Sequence, residues 1–318
     1  MFMASVPPDF KAGFVAVAGR PNVGKSTLIN ALLGQKVAAV SPKPQTTRKR
    51  QLGILTLPER GQIIFIDTPG IHQPQHELGR ALNREAQEAL DDADVILFLV
   101  DGSQLPHPED ELVARNIREG GGRKPVVLAM NKVDLVAEED RPAREALYRR
   151  LFPEAEFLAI SALTGENLDT LVDLLLDRLP QSPPYYDEDQ ITDLYEREIA
   201  ADLIREAALH CLHDEVPHAI AVRIDEYKER GEEGAYIAAT LFVERESQKA
   251  IVIGKGGSMI KKIGTLARQS IEAMTGRKVY LDLRVKVHKN WRNDPAMLMR
   301  FGFPAKWFQE RRKRRKRR

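Results

Sequence analysis

The sequence predicts two domains: an α/β domain with a mostly parallel sheet and helices on both faces, and a smaller α+β domain after it. Three observations support this fold class. The first half alternates short apolar runs with helical stretches, a proline-rich acidic segment interrupts the alternation, and the second half follows a different order of helices and strands. A chain of 318 residues is long enough for two domains. We expect them at residues 10–180 and 191–300, with a linker at 181–190 and a basic tail at 301–318.

Five short apolar runs predict the strands of the first domain. Each run is rich in β-branched residues, too short for a helix, and ends at a polar or glycine-containing loop. Ligands bind such sheets beyond the carboxyl ends of the strands, so we expect the functional residues in those loops. The predicted strands are Phe14–Ala18, Ile63–Ile66, Val95–Val100, Val126–Met130 and Phe157–Ile160.

The second half predicts the order helix, strand, strand, helix, glycine loop, helix, strand. Apolar residues step by four from Tyr195 to Cys211, as they do on one face of a helix, and alternate strictly along the last strand at 279–287. The other predicted elements are strands at 220–225 and 237–243, and helices at 248–253 and 259–274 on either side of the glycine loop.

Composition argues against several classes of protein. The chain has no apolar run of about eighteen residues, and its N-terminus lacks a charged and then apolar leader. We therefore expect neither a membrane span nor a secretory signal. Cys211 is the only cysteine and cannot form an internal disulfide, which fits a cytoplasmic protein. We expect its side chain to be a small buried apolar group of a helix.

The net charge of +2 hides an uneven distribution. Residues 311–318 are eight consecutive basic residues, so the rest of the chain is acidic. A basic run of this kind often binds nucleic acid, and we expect contact with RNA. The alternative is a solvated tail that improves solubility and has no specific target.

The loop after the first predicted strand carries the strongest motif. Gly19 to Ser26 fit the phosphate-binding pattern G-x-x-x-x-G-K-[ST] in full, between a predicted strand and a predicted helix. Its glycines let backbone N–H groups point at phosphate oxygens, and the positive end of the helix adds to that field. Lys25 would reach the β- and γ-phosphates, and the Ser26 hydroxyl would bind Mg²⁺. The expected nucleotide contacts are Gly19, Asn22, Val23, Gly24, Lys25, Ser26 and Thr27.

A second motif, Asp67-Thr68-Pro69-Gly70, follows the strand at 63–66. The Asp67 carboxylate can hold Mg²⁺, commonly through water, and the Gly70 amide can approach the γ-phosphate because no side chain blocks it. The same four residues also make a good ordinary turn, so the motif is weak when taken alone.

The third motif selects the base. In Asn131-Lys132-Val133-Asp134, the Asp134 carboxylate can accept hydrogen bonds from N1–H and the 2-amino group of guanine, whereas adenine offers neither donor there. Asn131 can brace the neighbouring loops, and the Lys132 stem can lie over the base. The alternative is a strand-to-helix turn capped by Asp134. In the fourth motif, Ser161-Ala162-Leu163, a backbone N–H can donate to guanine O6.

Residues 41–48 form the candidate mobile loop. Thr46 or Thr47 can supply a hydroxyl to Mg²⁺ and an amide to the γ-phosphate, and the sequence does not choose between them. The loop would order with GTP and relax after hydrolysis. The alternative is a proline-rich surface loop without a nucleotide role.

Together, the four motifs, each after a predicted strand, resemble those of P-loop GTPases of the translation-factor-related class. The resemblance implies GTP and GDP as ligands and Mg²⁺ as the metal ion, with Lys25, Thr46, Thr47, Asp67 and Gly70 as catalytic candidates. Ile71 stands where Ras-like enzymes carry a water-orienting glutamine, so we expect slow unaided hydrolysis. Related GTPases use an asparagine at the position of Asn22 to bind K⁺, and this residue is a candidate K⁺ ligand. The alternative is an ordinary loop residue.

The glycine loop of the second domain, Gly254-Lys255-Gly256-Gly257, matches the G-x-x-G loop of KH domains. Its glycines let the backbone approach single-stranded nucleic acid, and such a loop clamps about four nucleotides. Lys255, Lys261 and Lys262 add positive charge for phosphates. The order of helices and strands is that of a type II KH domain. The alternative is a helix–helix turn that needs glycine for left-handed geometry.

Residues 10–300 as a whole resemble the Era family of bacterial GTPases. The similarity lies in the Gly19–Ser26 loop, the Lys43–Arg48 segment and Lys289-Asn290-Trp291. It implies binding to the 3′ end of small-subunit (16S) ribosomal RNA, along the Gly254–Gly257 loop, and a role in assembly of the small ribosomal subunit. No DNA partner is expected, and a monomer is the default state.

Three alternatives compete with this interpretation, and one of them stays open. Tandem-domain ribosome-assembly GTPases need a second phosphate loop, which the sequence lacks, and tRNA-modifying GTPases need a cysteine near the C-terminus, where this chain has none. An RNA-binding scaffold that uses GTP as a switch with negligible unaided turnover stays open because of Ile71. The basic tail at 311–318 departs from the family, and peripheral contact of this tail with a membrane also stays open.

Overall fold

The computed structural model describes residues 7–41, 43, 46–229, 231 and 234–308. The predicted basic run at 311–318 lies outside this part of the chain. The described residues divide into two compact units, one drawn from Met1–Gln73 and Leu82–Asp193, and the other from Pro74–Ala81 and Leu194–Arg318. The division thus falls between Asp193 and Leu194, and it assigns a short segment of the first half to the second unit.

The first unit contains a six-stranded sheet with the order β2-β3-β1-β4-β5-β6. All neighbouring pairs are parallel except β2–β3, so the predicted mostly parallel α/β domain is confirmed. The strands are β1 Lys11–Ala18, β2 Gln51–Leu57, β3 Gly61–Asp67, β4 Val95–Asp101, β5 Val126–Asn131 and β6 Glu156–Ala159. The helices are α1 Lys25–Leu33, α2 Glu77–Asp92, α3 Pro108–Gly120, α4 Arg141–Arg149 and α5 Leu168–Arg178.

Both faces of this sheet are covered, as its apolar strands require. Successive residues of β1 point to opposite faces. Val15 and Val17 pack with residues of α1 and α5, whereas Ala16 and Ala18 pack with residues of α2, α3 and α4. The carboxyl ends of the strands β1, β3, β5 and β6 therefore carry the predicted motifs at one edge of a layered domain.

Strand β2 was not among the predicted strands. It is the antiparallel edge strand, and Gly53 in its middle weakens the sequence signal for a strand. The glycine has a packing reason, because a Cβ atom there would lie 2.7 Å from Ile29 Cγ2 of α1. A contact between segments this far apart in sequence leaves no local pattern.

The predicted linker at 181–190 is held by hydrogen bonds within the first unit. The backbone amides of Tyr185 and Tyr186 donate to Gln62 Oε1 at 2.8 and 3.0 Å, and the Gln62 amide donates back to the Tyr186 carbonyl. Further along, the amide of Ile54 in β2 donates to the carbonyl of Ile191. The backbone of the predicted linker is thus hydrogen-bonded to a buried glutamine of β3.

The second unit has the predicted order of helices and strands. Its sheet has the order β7-β8-β9, with β7–β8 antiparallel and β8–β9 parallel, and the apolar faces of its helices pack on one side. The predicted α+β class is confirmed, and Cys211 is buried as expected. The elements are α6 Glu196–Cys211, β7 Ala221–Glu229, β8 Ala235–Val243, α7 Glu246–Ile253, α8 Ser258–Thr275, β9 Val279–Val287 and α9 Pro295–Arg300. A search of the described residues finds no helix with the length and apolarity of a membrane span.

Candidate functional site

The glycines of the first loop are required by their surroundings. Gly24 has a φ of 103°, and a Cβ atom there would lie 2.4 Å from Asn131 Nδ2. A Cβ atom on Gly19 would lie 2.5 Å from the Leu99 carbonyl oxygen. Helix α1 begins directly after Gly24, so its unpaired N–H groups open toward the loop. This arrangement is an anion-binding helix N-terminus, as the motif predicts.

Lys25 is buried behind this loop. Its Nζ donates to the carbonyls of Gly19 and Arg20 at 3.1 and 3.0 Å. Burial lowers the pKa of Lys25 to about 8, and the Arg20 charge adds to the effect while Asp67 opposes it. An anion beside the ammonium group would offset this desolvation. Lys25 is therefore well placed to favour a bound phosphate.

Three oxygen atoms from separate loops form a compact cluster beside Lys25. Ser26 Oγ lies 2.8 Å from Asp67 Oδ2, Thr47 Oγ1 lies 3.0 Å from the same carboxylate oxygen, and the two hydroxyl oxygens are 3.0 Å apart. Octahedral Mg²⁺ with ligands at 2.0–2.1 Å spaces neighbouring oxygens by about 2.9 Å. The donor set and its spacing therefore fit Mg²⁺.

Thr46 takes no part in this cluster. Its hydroxyl donates to the carbonyl of Lys43 at 2.8 Å, within its own loop. Of the two threonines that the sequence left open, Thr47 lies with Ser26 and Asp67, and Thr46 does not. The cleft at this point is lined by Asn22, Gly24, Lys25, Ser26, Thr27, Thr46, Thr47, Thr68 and Gly70, with Pro21 and residues 39–41.

The base motif and the neighbouring loops are tied together by Asn131. Its Nδ2 donates to the Val23 carbonyl at 2.8 Å, and its Oδ1 accepts from the Ala162 amide at 2.9 Å. Ser161 Oγ donates to Asp134 Oδ1 at 2.6 Å, which orients that carboxylate. The side chain of Leu163 is an apolar group 79% exposed beside them. These contacts match the bracing role and the guanine-recognition role that the sequence suggests for Asn131 and Asp134.

Of the three backbone amides considered for guanine O6, two are already bound. The Ser161 amide donates to the Glu166 carbonyl at 3.1 Å, and the Ala162 amide donates to Asn131. Within the described part of the chain, the Leu163 amide makes no hydrogen bond. Of the three amides, that of Leu163 therefore keeps its donor available for a ligand in the described part of the chain.

Sequence reasoning missed Asp101, which ends β4. Its Oδ2 accepts from Lys132 Nζ at 2.6 Å, and the same ammonium group donates to the Asn22 carbonyl at 2.9 Å. The Asp101 Oδ1 atom accepts from the amide and hydroxyl of Ser103. Lys132 of the base loop thus contacts both the phosphate loop, at the Asn22 carbonyl, and the buried Asp101 carboxylate. The position of Asp101 directly after the apolar run at 95–100 was the sequence signal that could have identified this residue.

The Asp67–Gly70 loop packs tightly against the phosphate loop. Thr68 Oγ1 donates to the Val17 carbonyl at 2.8 Å, which ties the ends of β3 and β1 together. A Cβ atom on Gly70 would lie 2.7 Å from Pro21 N, so only glycine fits. Pro69 lies between Thr68 and Gly70 in this loop. The side chain of Ile71 points into the apolar core, and only 2% of this residue is exposed.

The glycine loop of the second unit has an open, left-handed backbone. Gly254, Gly256 and Gly257 have φ values of 72°, 59° and 79°. A Cβ atom on Gly254 would lie 2.7 Å from Met259 Cβ, whereas nothing lies within 4 Å of one on Gly256 or Gly257. A ligand backbone can therefore approach the last two glycines closely. Lys255 is exposed in the loop, and Lys261 and Lys262 are exposed on the first turns of α8.

Two family models match the chain. Residues 14–132 match the model described as 50S ribosome-binding GTPase, and residues 215–292 match the model described as KH domain. The first match covers the phosphate loop and the Asp67–Gly70 loop, and ends within the base motif. The second covers the Gly254–Gly257 loop and the elements around it.

Curated proteins and solved structures give a consistent picture. GTPase Era of Halothermothrix orenii is 48% identical over 297 residues, which is 93% of this chain and 99% of that protein. GTPase Era of Heliobacterium modesticaldum is 45% identical over 296 residues, 93% of this chain and 98% of that protein. The crystal structure of Era with MgGDPNP and nucleotides 1506–1542 of 16S ribosomal RNA matches with a TM-score of 0.88 and 43% identity, over 92% of this chain and 99% of that one. A variant of Aquifex aeolicus Era bound to GDP·AlF4⁻ matches with a TM-score of 0.87 and 42% identity, over the same shares.

Proposed function

Because the chain belongs to the Era family of GTPases, we propose that it hydrolyses GTP in the cleft of the first unit and binds the 3′ end of 16S ribosomal RNA through the Gly254–Gly257 loop. The proposed role is in assembly of the small ribosomal subunit. The observation that carries the proposal is the oxygen cluster of Ser26, Thr47 and Asp67 beside the buried Lys25.

The residues of the cleft have distinct roles in this proposal. Lys25 and the N-terminus of α1 bind the phosphates, and Asp134, oriented by Ser161, selects guanine. Ser26, Thr47 and Asp67 hold Mg²⁺, which supplies positive charge to the phosphate oxygens during phosphoryl transfer. Because Ile71 points into the core, the attacking water must be held by backbone, by another loop or by a partner, and we assign it to backbone groups around Thr47 and Gly70.

The small subunit is the favoured ribosomal partner. One matching family model is described as 50S ribosome-binding, but a relative with 43% identity over 92% of this chain was crystallised with a fragment of 16S ribosomal RNA. The longer and more specific similarity supports the small subunit as the partner. A ribosomal partner also favours a cytoplasmic location. A monomer stays the default expectation, and peripheral contact of the basic tail with a membrane stays a separate alternative.

RNA binding is expected to depend on Lys255. We expect Lys255→Glu to weaken binding of an RNA matching the 3′ end of 16S ribosomal RNA by about 10-fold and to reduce its salt dependence by about one phosphate contact. Lys278→Glu is the matched control, because Lys278 is also exposed but lies beyond the other end of the 18-residue helix α8. Fluorescence anisotropy at several salt concentrations measures both effects. Equal affinity of the two variants would contradict an RNA site at the Gly254–Gly257 loop.

Potassium is the second proposed cation of the cleft. Asn22 lines the cleft with a left-handed φ of 66°, which glycine also adopts without strain. Hydrolysis is expected to be several-fold faster in K⁺ than in Na⁺ at equal ionic strength, and Asn22→Gly should remove this difference while keeping the backbone geometry. Rates that are equal in the two salts for the natural protein would exclude K⁺ activation.

The second candidate function is an RNA-binding scaffold with negligible unaided turnover. It is favoured by the burial of Ile71, which leaves no side chain at that position to orient water. Single-turnover hydrolysis with RNA and K⁺ present separates the two candidates, because a scaffold would bind GTP and RNA without accelerated hydrolysis.

A further inference from the structure

Two side chains outside the nucleotide motifs hold the loop that follows β3. His72 Nδ1 lies 3.0 Å from the Gly70 carbonyl oxygen. Because a carbonyl oxygen only accepts, Nδ1 carries the hydrogen and donates it. Asn83 of α2 donates from Nδ2 to the His72 carbonyl at 2.8 Å, and its Oδ1 accepts from the His72 amide at 3.4 Å. Asn83 thus fixes the backbone of His72, and the His72 ring fixes the carbonyl of Gly70.

This loop can present only backbone groups to the cleft near the γ-phosphate position. Gly70 lines the cleft and has no side chain. A Cβ atom at this position would lie 2.7 Å from the backbone nitrogen of Pro21 in the phosphate loop. Ile71, the next residue, has its side chain in the core between the sheet and α2. Hydrolysis therefore depends on the orientation of the peptide groups around Gly70, and glycine is the residue with the greatest backbone freedom.

We propose that His72 and Asn83 are positioning residues for GTP hydrolysis, which hold the Gly70 backbone in the orientation that the reaction needs. The inference rests on the proposed GTPase function of this cleft. This enzyme has no glutamine to orient the attacking water. In its place, His72 and Asn83 hold the Gly70 backbone in a fixed orientation. A donor that is already oriented needs no reorganisation when charge develops in the transition state.

The expected effect is on the chemical step and not on nucleotide binding. The base and phosphate contacts that GDP and GTP share come from the α1 loop and from Asp134, outside the contacts that join His72, Asn83 and Gly70. A displacement of reacting groups by about 1 Å can cost about 100-fold in rate. Loss of either side chain should therefore lower kcat by about 10- to 100-fold and leave the affinity for GDP within about 2-fold of the natural value.

The decisive comparison is between His72→Asn and His72→Leu. Asparagine places an N–H donor at the same number of bonds from Cβ as His72 Nδ1, and leucine has the same branched shape without a donor. We expect His72→Leu to be slow and His72→Asn to recover most of the rate. Gln73→Leu, at the exposed neighbouring position, is the control that should leave the rate unchanged. Thermal unfolding and GDP affinity are measured for each variant, so that a folding defect is separated from a rate defect.

Asn83→Leu provides an independent test of the same device. Because Asn83 acts through His72, the rate losses of His72→Leu and Asn83→Leu should not add, and the double variant should be about as slow as the slower single variant. Equal rates for His72→Asn and His72→Leu, or parallel losses of affinity and rate, would overturn the inference while the natural protein still hydrolyses GTP. Failure of the natural protein to bind or hydrolyse GTP would instead overturn the proposed function and this inference with it.

Discussion

Replacing Asp134 with asparagine is expected to change the base preference of the cleft from guanine to xanthine. The Asp134 carboxylate, whose Oδ1 accepts from Ser161 Oγ at 2.6 Å, is fixed to accept from N1–H and the 2-amino group of guanine. In the variant, Ser161 would keep the amide oxygen, so an NH₂ group would face the 2-amino group. Two donors facing each other leave both unpaired, which costs at least about 100-fold in affinity for GDP.

Xanthine carries an oxygen where guanine carries the 2-amino group, so the new amide can donate to it. We therefore expect xanthosine diphosphate to bind the Asp134→Asn variant better than GDP does, and the natural protein to show the opposite order. Asp140→Asn, at an exposed carboxylate six residues away, controls for the loss of negative charge. Calorimetric titration with both nucleotides measures the change in affinity. An unaltered GDP affinity in Asp134→Asn would show that this carboxylate does not select the base.

Thr47→Ala is expected to lower GTP hydrolysis by about 100-fold, whereas Thr46→Ala should stay within about 3-fold of the natural rate. The two substitutions remove the same atoms from adjacent residues, so they form a matched pair. Thr47 Oγ1 lies within 3.0 Å of both Ser26 Oγ and Asp67 Oδ2, and its loss removes one of three oxygens that fit Mg²⁺. Thr46 Oγ1 instead donates to the Lys43 carbonyl, a bond that contributes about 1 kcal/mol to the loop.

The measurement is the rate of hydrolysis as a function of Mg²⁺ concentration for both variants. Thr47→Ala should need more Mg²⁺ to reach its lower maximal rate, and Thr46→Ala should follow the natural curve. The reverse result, with Thr46→Ala impaired and Thr47→Ala normal, would assign the metal ligand to the other threonine.

The four loop motifs could be predicted because a short sequence pattern and its place after a strand determine the backbone there. Gly24 is an example: its left-handed φ and the nearness of Asn131 leave no room for another residue, so the pattern itself carries the geometry. The order of helices and strands in the second unit was predicted for a similar reason, since its apolar periodicities are strict and uninterrupted.

The remaining features depend on contacts between residues distant in sequence. The path of the loop at 41–48 determines which of the two threonines lies beside Ser26 and Asp67. The sequence does not show this path, because the two adjacent threonines are identical residues. Gln62 binds backbone groups of the predicted linker more than a hundred residues away, a contact that no local pattern shows. The bond between His72 and Gly70 is local, but its hold on the loop depends on Asn83 from another element.

The central claim is that the first unit hydrolyses GTP and the second binds the 3′ end of 16S ribosomal RNA, and we expect bound RNA to accelerate the hydrolysis. Single-turnover GTP hydrolysis in K⁺ and Mg²⁺ tests it most directly, with an RNA that matches the 3′ end of 16S ribosomal RNA and a scrambled RNA of the same composition. We predict that only the matching RNA binds tightly and accelerates hydrolysis, and that Lys255→Glu loses the acceleration while keeping the unaided rate. If GTP is hydrolysed but neither RNA binds or changes the rate, the coupling and the RNA-binding role of the Gly254–Gly257 loop are contradicted.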